Sequence, residues 1–189
     1  MSLTEELEEF ISRFPVYQYA FVTPEQIHFS DSVVEICKRE CPHYNTSWAC
    51  YPAVGKVSKS RARCMKYDGA LVFSTVTKLD NPDSRRDRLE TKTQHEKLTG
   101  IVADQMTGMG LRPYILTSDY CTNCLRCGFP QEYCRHPEVL YPCIESNGII
   151  MSDLLEFCKM DNYMSDDLSL WFSIIFFEDP ASIKEHFNG

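Results

Sequence analysis

The first forty residues alternate between helical and strand-like spacing of apolar positions. In the opening segment, apolar residues recur every three or four positions: Leu3, Leu7, Phe10, Ile11 and Phe14. They predict an amphipathic helix that ends before Pro15. The stretch VYQYAFV then predicts a strand. SDSVVEICKRE predicts a short helix capped by Ser30 or Asp31, with Cys37 near its end.

The remaining chain continues this alternation. KVSKSRARCMKY predicts a helix, and the β-branched run GALVFSTVT predicts a strand. A long polar helix is predicted from after Pro82 to about Met109, where Gly110 is placed to end it. LRPYILTS predicts a strand that Pro113 restricts to a sheet edge or a late start. HPEVLYPCIESNG and SDLLEFCKM predict two short helices separated by Gly148, and LSLWFSIIFFE predicts a strand buried on both faces.

Alternating strands and helices are typical of an α/β fold. The chain has 189 residues, of which 43% are hydrophobic, which is enough material for one core. We therefore predict a single domain over residues 1–189. It has a central sheet of four or five strands, helices packed on that sheet, and two cysteine-rich loops at its rim.

The net charge and the hydropathy of the chain argue against some classes of function. The formal net charge is -8, which disfavours binding to nucleic acid because both carry the same sign. No apolar run reaches the roughly 20 residues that a membrane span requires. The acidic start MSLTEELEEF is unlike a secretory signal. These features predict a cytoplasmic protein that binds neither membranes nor nucleic acid.

Four of the ten cysteines lie within fourteen residues, in the segment CTNCLRCGFPQEYC. They are Cys121, Cys124, Cys127 and Cys134. The C-x2-C-x2-C triplet wraps a short loop around a compact object, which suits the closely spaced iron corners of a [4Fe-4S] cluster. Zinc is the alternative, although its paired C-x2-C knuckles are usually separated. Cys134 completes this site or serves another one.

A second set, Cys37, Cys41 and Cys50, follows C-x3-C-x8-C in turn-rich sequence. Three thiolates require a fourth ligand from elsewhere, or leave one coordination position free for a substrate. The candidates for a fourth ligand within the chain are His43, Cys64, Cys134 and Cys143.

These two segments together resemble a cysteine-rich bacterial and archaeal family of predicted metal-binding proteins of unknown function. Besides the cysteines, the shared pattern falls on Pro42, Trp48, Pro52, Arg135, Pro137, Glu145, Gly148 and Ile149. Tyr51 stands where the family usually has proline. The resemblance implies metal binding and redox work at low oxygen, and it favours two metal sites, one for each group of cysteines.

Several other residues are candidates for supporting roles. Lys56, Lys59, Arg63 and Lys66 would align on one helix face, either as a solvated surface or as a docking patch for an acidic redox partner. Trp48 and Tyr44 are expected to shield a cluster from water. Cys64 and Cys158 fall in helical patterns and are expected to be packing residues.

The leading hypothesis is therefore an iron-sulfur protein with one or two [4Fe-4S] clusters that transfers electrons or reductively activates a partner enzyme. The first alternative is a zinc-binding structural or interaction module without redox activity. The second is an enzyme that uses an open position at the Cys37, Cys41 and Cys50 group on a small molecule. The sequence contains no H-E-x-x-H motif, P-loop or nucleophile elbow.

Overall fold

A computed structural model describes residues 3–163 and 165–179. The five helices of this part are α1 (Leu3–Ile11), α2 (Asp31–Glu40), α3 (Val57–Cys64), α4 (Arg85–Gly108) and α5 (Met151–Cys158). Its four strands are β1 (Gln18–Val22), β2 (Gly69–Lys78), β3 (Arg112–Thr117) and β4 (Leu168–Glu178). The predicted α/β class is confirmed. The ends of the predicted domain, 1–189, lie outside the described residues. No helix in the described part is long and apolar enough to cross a membrane.

The strands form one antiparallel sheet in the order β1-β2-β4-β3. β3 lies at an edge, as Pro113 predicted, because proline has no amide hydrogen to donate to a second neighbouring strand. β4 lies between β2 and β3, so Ile174 pairs with Val72 on one side and Leu116 on the other. The strand predicted to be buried on both faces is therefore an interior strand of the sheet.

Both faces of the sheet are covered. On one face, Val72 and Ile174 pack with Leu154 of α5. On the other, Phe73 packs with Leu7 of α1 and Met106 of α4. Successive side chains of a strand point to opposite faces, so β2 and β4 serve both layers of the core. Their nearly continuous apolar sequences follow from this placement.

The helix predicted for HPEVLYPCIESNG is wrong. This segment instead forms two short 3-10 turns, Pro137–Val139 and Glu145–Asn147, with extended chain between them. Its amides pair outside the segment: the Cys143 amide donates to Ala49 O at 2.9 Å, and the Ile144 amide donates to Thr117 O at 3.0 Å. Proline at position 142 also disfavours helix at the residue before it. The segment is thereby fixed against both the first cysteine loop and the end of β3.

Candidate metal centre

The cysteine group after β3 surrounds one small cavity. Cys121, Cys124, Cys127 and Cys134 all line this cavity, so Cys134 accompanies the triplet in its own loop. All four are partly exposed free thiols. We call this set the triplet site.

The sulfurs of the triplet site belong to side chains that line one cavity. Within residues 3–163 and 165–179, no three cysteine, histidine, aspartate or glutamate side chains are arranged to hold a single metal ion. A tetrahedral zinc ion needs four donors at about 2.0 to 2.3 Å. A cubane has a separate terminal thiolate on each iron corner and therefore spreads its ligands more widely. Four thiols around one cavity suit metal binding by number and by chemistry.

Trp48 connects the first cysteine loop to the triplet site. Its indole Nε1 donates a hydrogen bond to the backbone oxygen of Glu132 at 2.9 Å, and its ring meets the Phe129 ring edge-on with centroids 4.9 Å apart. Trp48 also lines the triplet cavity. Trp48 therefore contacts the triplet site, which lies more than seventy residues later in the sequence. Its expected role, to shield a cluster from water, concerns this site.

Charged side chains flank the triplet site on two sides. Arg135 forms an ion pair with Glu132 at 2.8 Å and lies within electrostatic reach of Cys124 and Cys127. On the inner side, Lys92 and Glu96 of α4 form an ion pair in which the lysine side chain is only 1% exposed. Burial raises the pKa of the Cys121 thiol; the Glu96 carboxylate adds to this rise and Lys92 opposes it.

The first cysteine group lies at a larger pocket of about 480 Å³. Cys37 is in the last turn of α2, Cys41 is the residue that ends this helix, and Cys50 is in the following loop. All three line the pocket, together with Cys143 and Glu145 from the segment after the triplet site. We call Cys37, Cys41 and Cys50 the trio site and the adjoining space the trio pocket.

Of the four candidates for a fourth ligand of the trio site, two lie at the trio pocket and two lie elsewhere. Cys134 lines the other cavity, and Cys64 lies fully buried in the core beneath the sheet. His43 and Cys143 both line the trio pocket. The His43 ring stacks on Tyr120 with centroids 3.4 Å apart.

Glu145 is the site residue that the sequence did not assign. The Cys143 thiol donates a hydrogen bond to Glu145 Oε2 at 3.0 Å. Burial is the main cause that raises the pKa of the Glu145 carboxyl, and the nearby Asp119 charge adds to it. The Glu-x-x-Gly-Ile element of the family resemblance contains this glutamate and was the available signal. Gly148, at the end of that element, turns the chain with φ 80°.

Two thiols of the trio site, Cys37 and Cys50, have a raised pKa, which favours their protonated form. Burial, together with the charges of Cys41, Glu145 and Cys50, raises the pKa of Cys37 to about 11. Burial likewise raises the pKa of Cys50 and of Cys143. Since thiolate is the form that ligates metal, a metal must displace these protons on binding.

The two sites are neighbours. Ser47 lines the triplet cavity and donates a hydrogen bond from its hydroxyl to Cys50 Sγ at 3.2 Å. The charge of Cys127 also acts on the Cys50 thiol. The trio and triplet sites are therefore joined by the first cysteine loop, through Ser47 and Trp48.

Three further expectations have different outcomes. Cys64 is a fully buried packing residue, as predicted, whereas Cys158 is only partly buried at the edge of the same core. Tyr44 lines the trio pocket. The basic residues do not share one helix face as predicted, because Lys56 precedes α3 and Lys66 follows it; Lys56, Lys59 and Lys66 are nevertheless exposed. Arg63 instead donates to the Tyr114 hydroxyl at 2.8 Å, so it is held against the sheet.

The described chain is a four-stranded antiparallel sheet that carries two thiol-lined loops, and thiols are common metal ligands. The model of the predicted metal-binding protein family DUF2284 matches residues 20–177. The chain belongs to this family. No curated protein and no solved structure matches it.

Proposed function

We propose that the triplet site holds a [4Fe-4S] cluster and that the protein transfers electrons or reductively activates a partner enzyme. The supporting observation is that four thiols from one short loop, with the C-x2-C-x2-C spacing in its triplet, line one cavity. When bound, such a cluster supplies one-electron chemistry. The proposal includes a cytoplasmic location, which the ten free thiols favour because a reducing compartment preserves them.

The residues around the triplet site have distinct roles in this proposal. Trp48 lines the cavity and packs against Phe129, and in this role it limits water, which tunes the potential of a cluster. The Arg135 guanidinium lies within electrostatic reach of Cys124 and Cys127, where it would attract the negative charge of a bound cluster. The loop itself is at the surface, where Leu125 and Tyr133 are almost fully exposed. A surface position allows a partner to approach closely enough to exchange electrons.

Lys56, Lys59 and Lys66 remain the proposed docking patch for an acidic partner, without Arg63. The positive charge of this patch lies within a chain of net charge -8, so it would orient such a partner. Attraction between exposed charges weakens as salt screens it. A reduction rate that falls with added salt in wild type but not in Lys59→Glu would support this patch, and equal salt dependence would exclude it.

Anaerobic purification tests the main proposal. We expect a brown protein with broad absorbance near about 400 nm and with iron and acid-labile sulfide in equal amounts. Cys124→Ser should lose this absorbance. Cys158→Ser is the matched control, because Cys158 is a partly buried thiol outside both sites, and it should keep the absorbance. A colourless protein that carries zinc and no iron would overturn the proposal and leave the zinc-binding module.

The trio pocket favours a second candidate function, an enzyme that uses an open coordination position at Cys37, Cys41 and Cys50. Ligand pockets in proteins usually have volumes of roughly 300–1,000 Å³, and the trio pocket of about 480 Å³ borders all three thiols. Cys50→Ala should remove metal from the trio site and leave the absorbance of the triplet site. Equal loss from both sites contradicts separate centres.

A further inference from the structure

The trio pocket combines an apolar body with an acidic lining. Its walls come from α2, from the two cysteine-bearing segments and from the start of β4, and they include Val33, Ile36, Leu170 and Phe172. Such walls suit the carbon skeleton of a small organic molecule.

The charges at the trio pocket have one sign. Glu40, Asp119 and Glu145 line it, and no lysine or arginine is among the described residues that do. Two cations lie just outside the lining: Lys38, paired with Glu35 at 2.5 Å, lies over the Tyr51 ring, and Arg85 donates to the Tyr120 hydroxyl at 3.4 Å. Because the three lining carboxylates outnumber these two cations, an anionic ligand would meet net negative charge, which costs free energy in a partly desolvated pocket.

Aromatic rings form much of the remaining lining. Tyr44, Tyr51, Tyr120 and Trp171 contribute to it. One face of Tyr51 is already met by Lys38 and one face of Tyr120 by His43, so Tyr44 and Trp171 are the rings left for a ligand. The face of an aromatic ring carries partial negative charge and attracts organic cations, and clusters of such rings recognise alkylammonium groups. The aromatic rings and the carboxylates therefore both favour a positively charged ligand.

Asp119 has the properties of an anchor for that charge. Within the described part of the chain, its carboxylate has neither a hydrogen-bond donor nor an ion-pair partner. It lies at the trio pocket, where its charge acts on Cys50, on Glu145 and on His43. Its backbone is left-handed, with φ 69°. A non-glycine residue in this conformation is uncommon and often occurs at functional sites.

We infer that the trio pocket binds a small organic cation with an apolar or aromatic body, such as an aromatic or alkyl amine, with Asp119 as its charge partner. This inference names the ligand class for the second candidate function and rests on that function. The apolar walls hold the body of the ligand, and the Asp119 carboxylate holds the ammonium group beside the trio site.

Three probes of similar shape test the ligand class: 2-phenylethylamine, 2-phenylethanol and 3-phenylpropanoate, which are cationic, neutral and anionic at neutral pH. Binding is measured by calorimetry on the anaerobically purified full chain with its metal content determined. We expect the amine to bind best and the carboxylate worst, with at least about a fivefold difference, as one charge contact provides. Equal or tighter binding of the carboxylate, or no binding by any probe, would overturn the inference.

Asp119→Asn tests the anchor. Asparagine tolerates the left-handed backbone as well as aspartate does, so the variant should fold. It should reduce amine binding to about the level of the alcohol and leave alcohol binding unchanged. Asp83→Asn, which neutralises an exposed aspartate outside the pocket, should change neither. An unchanged amine-to-alcohol ratio in Asp119→Asn rejects the inference.

The same samples separate this inference from the proposed functions. A brown, iron-loaded protein that lacks the expected charge order rejects the ligand class and leaves the electron-transfer proposal intact. Correct charge order in a protein whose Cys50→Ala variant loses no metal supports the ligand class and rejects the open metal position.

Discussion

The indole Nε1 of Trp48 donates a hydrogen bond to the backbone oxygen of Glu132 at 2.9 Å, and this contact joins two loops that are 84 residues apart in sequence. One loop carries the trio site and the other carries the triplet site. Because Trp48 also packs edge-on against Phe129, the tryptophan orients the triplet loop through both a polar and an aromatic contact.

Trp48→Phe should keep most of the aromatic contact and remove the hydrogen bond to Glu132. We expect a loss of about 1 kcal/mol in the free energy of unfolding, measured by urea titration, because a single hydrogen bond contributes about that much. Metal release from the triplet site to a chelator should also become faster. Tyr44→Phe is the control in the same loop. If metal were released from Trp48→Phe as slowly as from this control, the proposed role of the indole would be contradicted.

Gly148 lies against Val57, and a methyl group at position 148 would come within 2.6 Å of Val57 Cγ1. Gly148→Ala should therefore cost both the left-handed backbone, about 1–2 kcal/mol, and the clash, for a total of about 3 kcal/mol. Thermal or urea unfolding measures this loss. The variant should also weaken metal binding at the trio site, because the turn Glu145–Asn147 must move.

Gly110→Ala is the matched control for Gly148→Ala. Gly110 has φ 89° and no atom within 4 Å of an added methyl group, so this variant carries only the backbone cost. Val57→Ala combined with Gly148→Ala should recover part of the lost stability. Equal destabilisation by the two glycine variants would show that the contact with Val57 has no energetic consequence.

The buried side chain of His95 leads us to expect that the folded protein loses stability in acid. Burial lowers its pKa from 6.5 to about 4, with nearby Lys92 also lowering it. Its ring nitrogens are hydrogen-bonded to the hydroxyls of Thr75 and Ser173, each at 2.8 Å. As the pH falls from 6.5 to about 4, the unfolded chain binds a proton that the folded protein does not, so stability is lost through this range. The full loss is about 3 kcal/mol.

Urea unfolding of the metal-free protein between neutral pH and about pH 4.5 measures this effect. His95→Gln removes the titrating group and keeps hydrogen-bonding capacity, so the variant should lose less stability on acidification than wild type. An identical pH dependence in the two proteins would assign the acid sensitivity to other groups.

The ion pair between Lys92 and Glu96 is almost entirely buried. Lys92→Met should destabilise the protein by about 3–5 kcal/mol, because it leaves an uncompensated carboxylate in the interior. Lys92→Met combined with Glu96→Leu should be closer to wild type, since both charges are then absent. A double-mutant cycle from urea unfolding gives the coupling between the two side chains. A double variant less stable than Lys92→Met would contradict this account.

Local sequence patterns predicted much of the fold. Apolar spacing placed α1 and α4, the apolar run at the end of the described chain placed β4, and Ser30 caps α2 as expected. The helix predicted around Pro142 failed because its amides pair with distant strands and loops, a preference that no short window contains. Spacing likewise grouped Cys121, Cys124 and Cys127, which a short loop holds together.

The amino-acid sequence by itself determined the local elements and the two groups of cysteines, because periodicity and short spacing act over a few residues. Only the tertiary structure brought Cys143 and Glu145 to Cys37, which is more than one hundred residues away. Contacts between residues so far apart in sequence depend on which faces of the sheet and helices bury the most apolar surface together. This is a property of the whole chain. For the same reason, the trio pocket and the unpaired Asp119 beside it were visible only once the elements had packed.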